Sequence, residues 1–115
     1  MQDHELRPVQ VDNATIAKMT DLLRAVFPGS DHFTDEVLRW QYKDNPDGTA
    51  VGFNAWHGGE LAGHYVTIPM SAMVDGALEK GLLSLNTATH PSHQGKGLFT
   101  KLAKATYARA AEEGY

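Results

Sequence analysis

Cysteine is absent from the 115 residues. That excludes a disulfide framework, a thiolate metal site and a cysteine nucleophile. No uncharged run reaches the roughly 20 residues that span a bilayer. Residues 1–11 carry Asp3, Glu5 and Arg7 and no apolar core, so they do not read as a signal peptide. The expectation is a cytoplasmic chain that engages no membrane. Basic charge is scarce as well, with 10 Lys and Arg against 14 Asp and Glu for a net charge of -4. That balance argues against a nucleic-acid partner. Internal repeats and low-complexity stretches are missing too. The length fits one domain over 1–115 and leaves no room for two.

One further absence is local. Residues 80–111 contain no acid but hold Lys80, Lys96, Lys101, Lys104 and Arg109. Residues 1–79 hold five basic and twelve acidic side chains. An acidic chain with one basic segment either solvates a helix face or presents that segment to an anion.

Periodicity predicts the elements. Leu6 to Val11 alternates and reads as a short strand, with Pro8 confining it to an edge. Asp12 or Asn13 caps a helix on which Ile16, Met19, Leu22, Leu23, Val26 and Phe27 recur at three and four residues. Pro28-Gly29 stops it. Thr34 caps a second helix to Tyr42, with Asp35 and Glu36 in its positive first turn and Val37, Trp40 and Tyr42 facing inward. Asn45-Pro46-Asp47-Gly48 is a turn. Strands then follow at Val51 to Trp56, Leu61 to Met73 and Gly81 to Thr89, joined by hairpin turns at His57-Gly58-Gly59-Glu60 and Asp75-Gly76. Pro69 predicts a bulge or an unpaired position in the second of these. On the last strand Leu83, Leu85, Thr87 and Thr89 share one face, and apolar residues on both faces near its start predict a central place in the sheet. An alanine-rich helix from Gly97 to Glu113 ends the chain, with Leu98, Leu102 and Ala105 on its apolar stripe. The order strand, helix, helix, three antiparallel strands, helix is an α+β (mixed α/β) pattern.

The segment His90-Pro91-Ser92-His93-Gln94-Gly95-Lys96-Gly97-Leu98-Phe99-Thr100 joins the last strand to the last helix. Its glycines free the backbone to turn sharply, and the helix start offers unpaired N–H groups. Together these make a phosphate cradle, to which Lys96 and Thr100 add donors. It is not a Walker A loop, because Gly97 follows Lys96 where Ser or Thr belongs. Nor is it a dinucleotide fingerprint, because Thr100 replaces the third glycine. His90 and His93 straddle Pro91 without an H-E-x-x-H pair or paired carboxylates, so no metal is expected.

These residues resemble the GNAT superfamily of acyl-CoA-dependent N-acetyltransferases. Its pyrophosphate loop reads Q/R-x-x-G-x-G/A, which Gln94 and Gly97 match and Phe99 departs from. Leu85 to Pro91 followed by Gln94 to Leu102 resembles a branch with Gly-Leu-Phe after that loop. Arg39-Trp40-Gln41-Tyr42 with Asn45-Pro46, and Gly63-His64-Tyr65, are similar to the same branch. The resemblance implies acetyl-CoA as co-substrate and direct attack of a small-molecule or protein amine on its thioester. It implies that Thr87, Ala88 and Thr89 hold the acetyl and pantetheine part through their backbone. Gln94, Gly95, Lys96, Gly97, Leu98, Phe99 and Thr100 would hold the pyrophosphate, with Lys96 and Lys101 near the outer phosphates. Trp40 falls on the acceptor side. The tyrosine acid usual in the family lies beyond a fifth strand that this chain does not contain. Candidate bases are Glu36, His64 and Asn86, although a lone strand histidine is more often structural. In the family the cofactor lies between strands four and five. The chain therefore reads as a GNAT-like fold truncated before the fifth strand. Either a missing C-terminal half or a homo-oligomer is expected to cover the open fourth strand. The alternatives are a non-catalytic module that binds CoA weakly or serves as an assembly surface, and a nucleotide binder unrelated to CoA.

Overall fold

A computed structural model describes residues 4–29, 31–95 and 97–115. The elements run β1 (Glu5–Pro8), α1 (Asn13–Val26), α2 (Asp35–Tyr42), β2 (Val51–His57), β3 (Glu60–Val74), β4 (Ala77–Thr89), a 3₁₀ turn (Pro91–His93) and α3 (Leu98–Glu112). Both helix caps read from the sequence form. The Asp12 carboxylate accepts the Thr15 N–H at 3.0 Å, and the Thr34 hydroxyl accepts the Val37 N–H at 3.1 Å.

The strands form one antiparallel sheet in the order β1-β2-β3-β4. Helices cover both faces. On one face Ile16, Met19, Leu22 and Leu23 of α1 and Leu38 and Tyr42 of α2 pack on Leu61, Val66 and Ala88. On the other, Leu98 and Leu102 of α3 pack on Ala55, Ala62 and Tyr65. The α3 stripe continues every fourth residue through Thr106 and Ala110, as its helical period requires. No helix among the described residues is long and apolar enough to cross a membrane.

Three expectations need correction, and a fourth is settled between its alternatives. β1 ends at Pro8 rather than Val11, because its last partner is Phe53. β4 lies at the end of the strand order rather than centrally, and Leu83, whose apolar character pointed inward, is 50% exposed. Pro69 makes no bulge and stays in register opposite Leu82, but it lies past Thr67, the last β3 residue paired with β2, so on that side its position is unpaired as expected. Trp40 faces solvent at 62% exposure. The inward stripe of α2 is Leu38 and Tyr42, and two residues beyond Leu38 is about 200° around the axis.

Candidate functional site

β4 departs from regular pairing just before its end. His64 pairs with Ala88, but Val66 pairs with Leu85. Asn86 and Thr87 therefore stand together opposite Tyr65, which is a bulge. Asn86 takes the left-handed conformation at φ 55°, which asparagine tolerates better than most residues. The extra residue breaks the expected alternation of Leu83, Leu85, Thr87 and Thr89. Leu85 and Ala88 instead share the face under α1 and α2.

The bulge is tied to α2 by side chains. Asn86 Nδ2 donates to Gln41 Oε1 and to the Tyr42 hydroxyl, both at 3.0 Å. The Tyr42 hydroxyl lies 3.0 Å from His64 Nε2, and His64 Nδ1 lies 2.6 Å from Asn54 Oδ1. An amide oxygen only accepts, so His64 carries its proton on Nδ1 and donates it to Asn54. Nε2 is then bare and accepts from Tyr42. The imidazole is fully buried, and burial pushes its pKa down to about 3. Burial also pushes the Tyr42 hydroxyl well above its usual range, with the Asn86 bond opposing.

His64 thus stays neutral in the fold while the unfolded chain takes a proton below about pH 6.5. In that window the unfolded state binds more protons, so stability falls with falling pH. The contribution is complete above about pH 6.5 and is lost as pH falls toward 3, at up to ~1.4 kcal/mol per unit. Urea unfolding between about pH 7 and about pH 4 is expected to show a steeper acid loss in wild type than in His64→Gln, which lacks the titrating ring. Parallel slopes would refute the assignment.

Beyond the bulge, the His90 N–H donates to the Ala62 carbonyl at 2.7 Å. Strand alternation then turns the Thr89 main chain away from β3. Its carbonyl accepts Gln94 Nε2 at 3.2 Å, folding the loop back on the strand end. Ser92 donates to His90 Nδ1 from its hydroxyl at 2.7 Å and from its N–H at 3.2 Å. Gly95 and Gly97 follow in the left-handed region at φ 80° and 73°. A Cβ on either would meet nothing within 4 Å, so both glycines serve backbone shape and not packing.

Gly97 is the N-cap of α3 and supplies no side-chain cap. The N–H groups of Leu98, Phe99 and Thr100 precede the first intrahelical bond, from Lys101 N–H to the Gly97 carbonyl at 3.2 Å. The first turn contains no acid. The result is a group of main-chain donors without intrahelical partners at the positive end of a 15-residue helix, able to hold an anion. Leu98 anchors the turn in the core, whereas Phe99 is 57% exposed and meets Tyr65 edge-on at 5.5 Å. Lys96 lies outside the described residues.

The remaining candidates separate. The β4 end brings Thr87, Ala88 and Thr89 beside the loop, with Ala88 buried and both threonines half-buried. Glu36 is exposed in the first turn of α2, while His64 is sealed beneath it. Asn86 serves the bulge. Among the described residues, no three His, Cys, Asp or Glu are grouped to hold a metal ion. Sequence reasoning missed the roles of Gln41, Tyr42 and Asn54. The available signal was polar: Asn54 and His64 occupy strand positions whose neighbours are apolar.

The chain matches the model of the acetyltransferase (GNAT) domain over residues 5–115. It belongs to that family. No protein of curated function matches this GNAT chain in sequence. Solved structures share its fold. Myristoyl-CoA-bound N-myristoyltransferase of Saccharomyces cerevisiae is 18% identical at a TM-score of 0.78, over 96% of this chain and 28% of that protein. A probable N-acyltransferase of Enterococcus faecalis V583 is 15% identical at 0.75, over 96% and 27%. A GNAT family acetyltransferase from Brucella melitensis, in complex with acetyl-CoA, is 19% identical at 0.71, over 99% and 72%. The chain thus spans little more than a quarter of the first two proteins.

Proposed function

We propose that this GNAT chain transfers an acyl group, acetyl in the simplest case, from acyl-CoA to an amine. The observation that carries the proposal is the uncapped start of α3, set behind two left-handed glycines and beside the bulged end of β4. The main-chain N–H groups of Leu98, Phe99 and Thr100 would hold the pyrophosphate, with Lys101 nearby for the outer phosphates. The backbone of Thr87 to Thr89 would lie along the pantetheine arm and polarise the thioester carbonyl. The amine attacks that carbonyl, loses a proton to a base or through water, and the CoA thiolate leaves with a proton. Of the candidate bases, Glu36 is exposed and open to an amine, whereas both His64 nitrogens are engaged. Family membership supports acyl transfer from acyl-CoA in general; the acetyl group and the amine acceptor are the finer part of the proposal.

Calorimetry is expected to show acetyl-CoA binding, and CoA release is expected with at least one of a panel of amines. A folded chain that binds no acyl-CoA would refute the reading. The burial of His64 favours a second reading, a CoA-binding module without turnover. Binding with no thiol release across the panel would select it.

A further inference from the structure

His93 stands immediately before the phosphate loop and belongs to no part of the site described above. It is buried, and both of its ring nitrogens have partners. His93 Nε2 lies 3.0 Å from Glu60 Oε1, the first residue of β3. A carboxylate oxygen accepts, so Nε2 carries a proton. His93 Nδ1 lies 2.9 Å from His4 Nε2, which precedes β1. The His57 ring, at the end of β2, stands 5.4 Å from the His93 ring and 5.6 Å from that of His4. Three strand ends thus converge on one loop side chain. The loop that follows contains two glycines in the left-handed region, and among its described residues Gln94 ties it to the sheet by a side-chain bond to the Thr89 carbonyl. A glycine-bearing loop loses much conformational freedom when it closes on a ligand.

We propose that His93, held by Glu60 and His4, is a positioning residue that pre-orders the loop for the phosphates of acyl-CoA. The inference rests on the acyl-CoA reading and deepens it. His93 does not touch the ligand. It fixes where the chain enters Gln94 to Gly97, and so lowers the ordering cost that binding must overcome.

Glu60 is exposed, so Glu60→Ala removes one arm of the anchor without disturbing the core, and it decides the matter if His93→Ala does not fold. Both variants are expected to lower the NMR backbone order parameters of Gly95 and Gly97 in the free protein while those of β2 stay unchanged. Both should raise the Kd for acetyl-CoA about tenfold, the scale of one charge-assisted hydrogen bond. Glu60→Gln, which keeps the acceptor oxygen, should restore most of the order and the affinity. Unchanged loop order, or a loss spread equally over β2 and the loop, overturns the inference. So does unchanged acetyl-CoA affinity in a variant with a loosened loop. A wild-type chain that binds no acetyl-CoA overturns the acyl-CoA reading, whatever the loop does.

Discussion

Gly97→Glu is expected to weaken acetyl-CoA binding by about a hundredfold or more, for two separable reasons. Gly97 sits at φ 73°, where a side chain bearing a Cβ costs roughly 1–2 kcal/mol. The loop would relieve that strain by leaving the conformation that leads into the uncapped helix start. The new carboxylate would also compete for the helix start and repel the phosphates. Two further variants separate the causes. Gly97→Asn tolerates the left-handed region and adds no charge, so it should bind within a few-fold of wild type. Gly97→Ala carries the strain alone and should fall between. Calorimetry on all three measures the order, and a glutamate variant that binds like wild type would remove α3 from the site.

The largest effect on stability is expected from Gly52→Ala. Gly52 pairs with Val66 across β2 and β3. A Cβ there would run into the Tyr65 carbonyl oxygen and come within 2.7 Å of Val66 Cα. Both obstacles are backbone, so no rotamer relieves them, and the strands must separate. The cost should reach about 3 kcal/mol or more, a large share of the ~5–15 kcal/mol that holds a domain together. Gly59→Ala meets nothing within 4 Å and should stay within about 0.5 kcal/mol of wild type. Urea midpoints for the pair give the comparison, and equal midpoints would contradict the close approach of β2 to β3.

Much of this fold is legible because its signals are local. The α1 stripe of Ile16, Met19, Leu22 and Leu23 and the two side-chain caps need no knowledge of any partner. The phosphate cradle is legible for the same reason: two glycines and a helix start lie within a few residues of one another. What escaped the sequence depends on distant pairing. The bulge exists only against β3, and Asn86 is a residue that enters the left-handed region without a telltale glycine. Likewise, Leu83 looks the same on a central strand as on an edge. Trp40 misled because aromatic character outweighed its angle on the helix. The partners of His64 lie 10 and 22 residues away, on β2 and α2, and no spacing within β3 points to them.

The chain of Asn54, His64, Tyr42 and Asn86 has a consequence for how this core can drift. Its members come from β2, β3, α2 and β4, and each satisfies a buried neighbour. Removing one leaves the others with unmet donors or acceptors at roughly 1–3 kcal/mol apiece. Removing a second then costs less than it would alone, because the group it served is already gone. Substitution at these positions is therefore strongly epistatic. A substitution at one member is expected to be tolerated best when several members change together, and the bulge, which hangs from Asn86, must then change its support at the same step.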